Sequence, residues 1–286
     1  MKISTEINSA AEIVGEEKAV EYVAKAGFDC WDFSMFAAFR MDWAKWRAER
    51  LPHPLNGADY LGFARKLRHI GEENGITCNQ SHAPFPTAMQ EIREWYPRAL
   101  EVTAEAGGRI CIIHPDNDST PEQNAEMYEA LLPVAKQYGV KIATENMWNW
   151  DAEKEQAAFA ACSDAESFVR HIDVMNDPSF VACLDIGHAE MRGLNTSAVE
   201  MIRALGDRLQ ALHIHDNDRW HDSHQIPFSM DIDFVPIVAA LKEIGYRGEF
   251  TLESGRYMKG LTPEEVPAGL AQMAAAARKL ADMFEA

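Results

Sequence analysis

The chain has 286 residues, of which 47% are hydrophobic and 25% are charged, a composition typical of one well-packed globular domain. That composition excludes a disordered, collagen-like or coiled-coil chain. Asp and Glu (45) outnumber Lys and Arg (27), and the resulting net charge of −18 disfavours nucleic acid as a partner.

Neither a membrane-spanning nor a secretory segment is expected. No run of about 18 apolar residues occurs. The first ten residues, MKISTEINSA, also lack the apolar stretch of a signal peptide. The five cysteines form no Cys-x-x-Cys pair, a pattern typical of buried, reduced thiols. We therefore expect a cytoplasmic protein.

Short apolar or alternating runs recur along the chain, and an amphipathic segment follows each of them. The predicted strands are 2–8, 28–34, 76–82, 109–114, 140–145, 180–185, 209–215 and 249–254. Several helical segments carry start and stop signals, such as Thr120-Pro121-Glu122 at one start and Gly139 at its stop. Eight strand-then-helix units predict an α/β fold, a single-domain (β/α)8 TIM barrel over residues 1–286.

Three predicted loops are long, at 35–56, 146–163 and 216–232, and in a barrel all three lie at the carboxyl-terminal face of the strands. Their aromatic side chains suit either stacking against a sugar or packing of the loop itself. These residues are Phe36, Trp43, Trp46, Trp148, Trp150 and Trp220. No Gly-x-Gly-x-x-Gly turn follows the first strand, so a dinucleotide-binding domain is not expected.

Ionisable residues lie at the ends of six successive predicted strands. They are His82, His114, Glu145, Asp185, His215 and Glu253. Buried carboxylates and imidazoles that converge on one point repel or desolvate one another unless a positive charge lies between them. Carboxylate oxygen and imidazole nitrogen are ordinary ligands of divalent cations, so the pattern predicts one bound Mn²⁺, Zn²⁺ or Co²⁺, with Mg²⁺ also compatible.

Two histidines, His213 and His215, are candidates for the same metal-ligand position. His213 and His215 are two residues apart, so both side chains face the barrel interior. His215 lies nearer the carboxyl end of the strand, where barrel active sites lie. We therefore expect His215 to be the ligand and His213 to be a deeper, structural residue.

Six segments resemble, in order and spacing, the xylose isomerase-like TIM barrels. They are SHAPF (81–85), IIHP (112–115), ATENMW (143–148), CLDIGHA (183–189), HIHDND (213–218) and FTLES (250–254). This superfamily includes sugar phosphate isomerases and epimerases, ketose 3-epimerases, inosose isomerases and dehydratases, and type IV apurinic endonucleases. The resemblance covers the whole chain and implies the barrel fold without specifying a substrate.

In the epimerase branch, the resemblance implies one metal ion held by Glu145, Asp185, His215 and Glu253. His188 of the Asp-Ile-Gly-His motif is then turned toward the substrate. A cation that neutralises an enediolate acidifies the adjacent C–H bond. Glu145 and Glu253 could then act on opposite faces of the carbon, one removing a proton and the other returning it.

Further residues are candidates for contact with the substrate. They are His82, His114, His188, His224, Asp222, Arg219 and Trp148. In the ketose 3-epimerase pattern an arginine follows the metal histidine by six residues, and counted from His215 that position is His221. No glycine-rich phosphate cradle follows the last two strands, which favours an unphosphorylated sugar, polyol or keto acid.

The leading functional hypothesis is a metal-dependent isomerase or epimerase of a small carbohydrate, in a homodimer or homotetramer. One alternative is a metal-dependent lyase, such as an inosose-type dehydratase, which begins with the same proton abstraction. A second is a zinc phosphodiesterase like the type IV apurinic endonucleases. The resemblance implies nine ligands for that branch, and His82, His114, His188, Asp222 and His224 would be the additional ones. The third alternative is a non-catalytic barrel that acts as a binding protein.

Overall fold

The computed structural model describes residues 1–286 and contains the eight parallel strands that the sequence predicts. They are β1 (Ile3–Thr5), β2 (Cys30–Ser34), β3 (Thr77–His82), β4 (Ile110–Ile112), β5 (Lys141–Glu145), β6 (Phe180–Asp185), β7 (Leu209–His213) and β8 (Phe250–Leu252). Each lies within its predicted range and is up to four residues shorter, because the ends of predicted strands continue into loops.

The strands form a closed ring in chain order. Strands β2 to β7 make one continuous parallel sheet, and β1 pairs with β8. Two single bridges close the ring, one between Glu6 and Asp32 and the other between Ile214 and Leu252. The fold is therefore the predicted TIM barrel, and every strand points its carboxyl end toward the same face.

Eight helices surround the barrel, and each contacts the next around the ring. They are α1 (Glu16–Ala26), α2 (Tyr60–Glu73), α3 (Tyr96–Ala106), α4 (Pro121–Tyr138), α5 (Ala165–Asp173), α6 (Ala198–Leu205), α7 (Phe234–Glu243) and α8 (Val266–Glu285). The shorter helical segments are Asn8–Val14, Gln90–Arg93, Ile186–Ala189, Phe36–Ala38, Pro54–Asn56, Gly206–Arg208 and Gly255–Met258. No helix combines the length and apolar character needed to cross a bilayer.

Apolar side chains occupy two separate regions. The larger core, of 69 buried residues, includes the side chains packed between the strands and the surrounding helices. A small cluster of Ile112, Ala143, Val181, Cys183 and Ala211 fills the barrel interior. Four of them, Ile112, Ala143, Cys183 and Ala211, lie two residues before an ionisable residue on the same strand face, so the interior changes from apolar to polar toward the carboxyl-terminal face.

The long loops differ in structure. The loop after β2 contains a hairpin of Phe39–Asp42 with Arg47–Arg50, and the loop after β5 contains one of Asn149–Asp151 with Gln156–Ala158. The loop after β7 has no strand or helix of its own between His213 and Phe234. All three lie at the carboxyl-terminal face, as predicted.

The start of α4 provides a test of local helix stability. Thr120 accepts a hydrogen bond from the Gln123 N–H group, and the Gln123 side chain accepts one from the Thr120 N–H group. We expect Thr120→Ala to lower the free energy of unfolding by about 1 kcal/mol, measured by urea denaturation. Thr120→Ser keeps the hydroxyl and should restore most of the loss. Equal destabilisation by both variants would contradict the capping role.

Candidate metal centre at the carboxyl-terminal face

The strand-end residues converge beneath a single cavity of about 750 Å³. Seven ionisable side chains of the cluster reach its wall. They are His82, His114, Glu145, His188, Asp222, His224 and Glu253. Asp185, His213 and His215 are fully buried below them. The predicted site residues therefore meet, with the exception of Arg219.

One group contains three of the four predicted metal ligands. Ligand atoms of Glu145, Asp185, His213 and Glu253 all lie within 4.8 Å of one another. His213 Nδ1 is 3.1 Å from Glu145 Oε2 and 3.5 Å from Glu253 Oε2. In this placement His213 rather than His215 lies between the two glutamates.

The register of the strands explains the difference. His213 is the last residue of β7 and pairs with Asp185, the last residue of β6. Side chains two residues apart on a strand are separated by about 6.6 Å along it, so His215 lies above the level of His213. Parity placed both imidazoles inside the barrel correctly, but only the register shows which one faces Glu145.

Asp32 holds the other side of the His213 ring. Its Oδ2 atom lies 3.4 Å from His213 Nε2 and accepts a hydrogen bond of 2.9 Å from Gln80 Nε2. A carboxylate in this position fixes the orientation of an imidazole ligand and increases its basicity. Asp32 was not among the predicted site residues. It lies in the middle of β2 among apolar residues, and a lone charged residue in a buried strand was the available signal.

A second group lies at the side of the cavity and contains His188, His215, Asp222 and His224. His215 Nε2 is 3.1 Å from Asp185 Oδ1 and 3.4 Å from Asp222 Oδ1. His224 Nε2 is 3.0 Å from Asp222 Oδ2, and its Nδ1 atom lies 2.6 Å from the Glu253 carbonyl oxygen. His215 therefore joins the Asp185 side of the first group to this second one.

Gly187 makes the position of His215 possible. A Cβ atom at residue 187 would lie 1.9 Å from His215 Cε1, so only glycine leaves room for the ring. The His215 ring also stacks on the His224 ring, with 4.0 Å between the ring centroids. The glycine of the Asp-Ile-Gly-His segment thus serves close packing between β6 and β7 rather than a backbone turn.

A third group links the first one to β3 and β4. His82 Nε2 lies 2.7 Å from His114 Nε2, and His114 Nε2 lies 3.3 Å from Glu145 Oε2. His82 Nδ1 is 3.2 Å from Glu253 Oε1. Each glutamate therefore contacts His213 on one side and one of these two histidines on the other.

The electrostatics follow from this alternation of acids and imidazoles. Burial opposes the charge on Glu145, but His213 and His114 outweigh it and hold the pKa of that carboxyl well below its usual value. For His224, burial is likewise outweighed by Asp222, which raises the pKa of the imidazole to about 9. The pKa of His188 is also raised well above its ordinary value, against burial, by Asp185 and Asp222.

Several buried polar atoms in the cluster have no hydrogen-bond partner. They are Glu145 Oε1, Asp185 Oδ2, His215 Nε2 and Asp222 Oδ1. Unpaired buried oxygens and nitrogens are rare in native proteins and call for a specific reason. A mixed carboxylate and imidazole donor set with free lone pairs fits a divalent cation. The residues present therefore suit the metal that the pattern predicts.

The rest of the cavity wall is mixed. Phe36, Phe85 and Trp148 supply aromatic surface, and Arg256 and Lys259 are its Arg and Lys side chains. Of the six loop aromatics considered for sugar stacking, only Phe36 and Trp148 reach the cavity. Trp43 and Trp46 pack on each other at the tip of the first hairpin instead.

Arg219 does not line the cavity. Its guanidinium lies 3.3 Å from Glu190 Oε2, and the side chain is 43% exposed. The loop after β7 turns at this residue, which has a φ of 65°. Counted from His213, Arg219 is nevertheless the residue six positions further along the chain, the spacing of the arginine in the ketose 3-epimerase pattern.

The chain belongs to the xylose isomerase-like TIM barrel family, whose model matches residues 20–285. An uncharacterised protein of Sinorhizobium fredii is 31% identical over 245 residues, 71% of this chain and 75% of that protein. An L-ribulose 3-epimerase of Methylomonas sp. is 22% identical over 250 residues, 84% of this chain and 78% of the enzyme.

A solved structure gives the same fold. The crystal structure of a D-tagatose 3-epimerase-like protein superimposes with a TM-score of 0.73 at 20% identity, covering 100% of this chain and 98% of that one.

The buried charges predict a pH dependence for the metal-free protein. Raised pKa values at His188 and His224 contribute stability that is complete below about pH 6.5. It is lost as the pH rises toward 9, the pKa of His224. Lowered pKa values at Glu145 and Asp222 contribute stability that is lost as the pH falls below about 4.

We therefore expect the Tm of chelator-treated protein to be highest between about pH 5 and 6.5 and to fall by roughly 5 °C toward pH 9. Circular dichroism melts across this range measure it. In His224→Asn the alkaline decline should be shallower. A wild-type Tm that stays constant from neutral pH to pH 9 would contradict the charge arrangement.

Proposed function

We propose that the protein is a metal-dependent isomerase or epimerase of a small, unphosphorylated sugar or polyol-derived ketone. The observation that carries this proposal is the close approach of Glu145, Asp185, His213 and Glu253 below the cavity, with ligand atoms within 4.8 Å of one another. The names of two similar proteins, an L-ribulose 3-epimerase and a D-tagatose 3-epimerase-like protein, refer to ketoses, which supports a sugar substrate.

The proposed ligands of the cation are Glu145, Asp185, His213 and Glu253, with His213 in place of His215. A bound divalent cation would supply positive charge that stabilises the enediolate formed when a proton leaves the carbon beside a carbonyl group. Asp32 holds His213 from behind, and the apolar layer beneath the group keeps water out of the barrel.

The proton transfers fall to the two glutamates. Glu145 and Glu253 come from β5 and from the end of β8, and both carboxylates reach the cavity wall. Their lowered pKa values keep them ionised, despite burial, because His213 lies between them. One carboxylate takes the C–H proton, and the other passes a proton from a histidine that it contacts to the opposite face of the carbon.

Three other side chains are proposed to orient the substrate. His188 lies at the cavity wall with its Nδ1 atom 2.9 Å from the Asn146 carbonyl oxygen, so its Nε2 atom faces Asp222. Trp148 and Phe36 offer flat apolar faces on which a sugar ring can stack. The wall holds one Arg and one Lys, Arg256 and Lys259, and both are exposed, which favours a substrate without phosphate.

A lyase would begin with the same step. After the proton leaves, loss of a hydroxyl group from the next carbon would give dehydration instead of reprotonation. The same residues serve both outcomes, so product analysis with inosose and ketohexose substrates separates them.

A zinc phosphodiesterase is the second candidate, and the two further groups of donors favour it. His188, His215, Asp222 and His224 form one, and His82, His114 and Glu145 form the other. Clustered metal ions activate water and stabilise phosphodiester cleavage. The net charge of −18 and the scarcity of cations at the cavity weigh against a nucleic acid substrate.

Replacing either glutamate tests the proton transfers. We expect Glu145→Gln and Glu253→Gln to reduce deuterium incorporation from D₂O into a ketose substrate by about 10²- to 10⁴-fold. Mass spectrometry of the recovered sugar measures the exchange. Glu264→Gln, an exposed residue before α8, should exchange at the wild-type rate. Full exchange in either active-site variant would contradict the mechanism.

Elemental analysis of protein purified without chelators tests the ligand set. We expect about one Mn, Co or Zn per chain. His213→Asn should lose that metal, whereas His215→Asn should keep most of it. Loss with His215→Asn alone would restore the original ligand prediction. Two or three zinc ions per chain, partly lost in His224→Ala, would favour the phosphodiesterase, to be tested on abasic DNA.

A further inference from the structure

Glu6 is a buried carboxyl at the cavity wall that the proposed chemistry does not use. It follows β1, and its side chain lines the cavity although the residue is only 5% exposed. It belongs to none of the groups that could hold a metal ion. Its backbone is fixed by the bridge to Asp32 and by a 3.0 Å hydrogen bond from its N–H group to the Leu252 carbonyl oxygen.

No cation neutralises this carboxyl. No nitrogen of a Lys, Arg or His side chain lies within 4 Å of it, and its hydrogen bonds come from Ser9 alone. The Ser9 N–H group donates to Oε2 over 3.0 Å, and the Ser9 hydroxyl donates to Oε1. Burial, together with the nearby charges of Glu253 and Asp32, raises the pKa of Glu6 to about 7.

A structural role explains part of this arrangement. The Ser9 N–H group belongs to the first turn of the helix Asn8–Val14, so Glu6 satisfies one of the free donors at that helix start. An uncharged glutamine would satisfy the same donor without the cost of a buried charge. Helix capping alone therefore does not require an ionisable group at this position.

The neighbouring polar groups leave the remaining capacity of Glu6 free. A carboxylate accepts about four hydrogen bonds, and Ser9 supplies two. Asn8 donates to Glu12 over 2.9 Å, so those two side chains are satisfied by each other. Gly255 lies opposite, where an added Cβ atom would be in van der Waals contact with Glu6 Oε1, at 3.4 Å.

We propose that Glu6 is a specificity-determining residue that accepts a hydrogen bond from a substrate hydroxyl group remote from the reacting carbon. It selects a polyhydroxylated substrate over the analogue that lacks that hydroxyl. Ser9 positions the carboxyl for this contact. The inference rests on the proposed function in one respect, that the substrate is a polyol or sugar, and it leaves proton transfer to Glu145 and Glu253.

The test compares Glu6→Gln with wild type on D-tagatose, D-psicose, D-fructose and L-ribulose, and on the 6-deoxy ketohexoses. Deuterium exchange gives KM and kcat, and equilibrium dialysis gives Kd without turnover. We expect Glu6→Gln to raise KM and Kd for the preferred sugar by about 10- to 100-fold, with kcat changed much less. For the analogue that lacks the recognised hydroxyl, wild type and variant should bind equally.

Two controls separate recognition from structure. Glu6→Gln keeps the cap on the Asn8–Val14 helix, so its Tm should equal or exceed that of wild type, and a residue with only a structural role would show no change in KM. Glu264→Gln removes an exposed charge outside the cavity and should leave KM within about twofold of wild type.

The outcomes distinguish this inference from the proposed function. Normal exchange by Glu6→Gln with unchanged KM for every sugar would overturn the role of Glu6 and leave the proposed function standing. Absence of exchange by wild type, with weaker sugar binding in Glu6→Gln, would overturn the proposed reaction and retain the role of Glu6. Absence of both exchange and sugar binding in wild type would overturn both.

Discussion

Alternation of buried acids and imidazoles is the constraint on which this site depends. Asp32, Glu145 and Asp185 are fully buried inside the barrel, and Glu253 lies beside them. Several carboxylates in a low-dielectric interior would repel one another and lose their hydration. His213 lies between three of them, within 3.5 Å of Asp32, Glu145 and Glu253. A cation bound to the unpaired carboxylate oxygens of Glu145 and Asp185 would further reduce this repulsion.

The barrel provides the rigidity that such an arrangement needs. His82, His114, Glu145, Asp185, His213 and Glu253 each come from the end of a different strand, and the strands are held by pairing and by two closing bridges. Local packing then selects individual ring positions. The absence of a side chain at Gly187 admits the His215 ring, and that ring in turn stacks on His224 from the loop after β7. Fixed geometry of this kind is what proton transfer to a single carbon requires.

Both sides of the cavity contain buried polar groups that the protein itself does not fully pair. On the β5 to β7 side, unsatisfied oxygens and nitrogens suit a cation. On the β1 and β8 side, Glu6 keeps a buried carboxyl without a cationic neighbour. In both halves the polar groups cost stability that an apolar residue would not, and such costs are typical of functional sites. A substrate with a reactive carbonyl at one end and hydroxyl groups at the other would satisfy both halves.

Local pattern was enough to predict the eight strands, their order and the barrel, because alternation and glycine stops act over a few residues. It also located Glu145, Asp185 and Glu253, since carboxyl ends of parallel strands meet on one face. The choice between His213 and His215 needed the register with Asp185, which no local pattern contains. Glu6 was missed because polar and apolar residues alternate in KISTEIN, as they do in a strand with one solvent-exposed face. Only closure of the ring against Asp32 buries the Glu6 carboxyl. Neighbours distant in the chain decide burial and charge, so tertiary structure alone could assign these two residues.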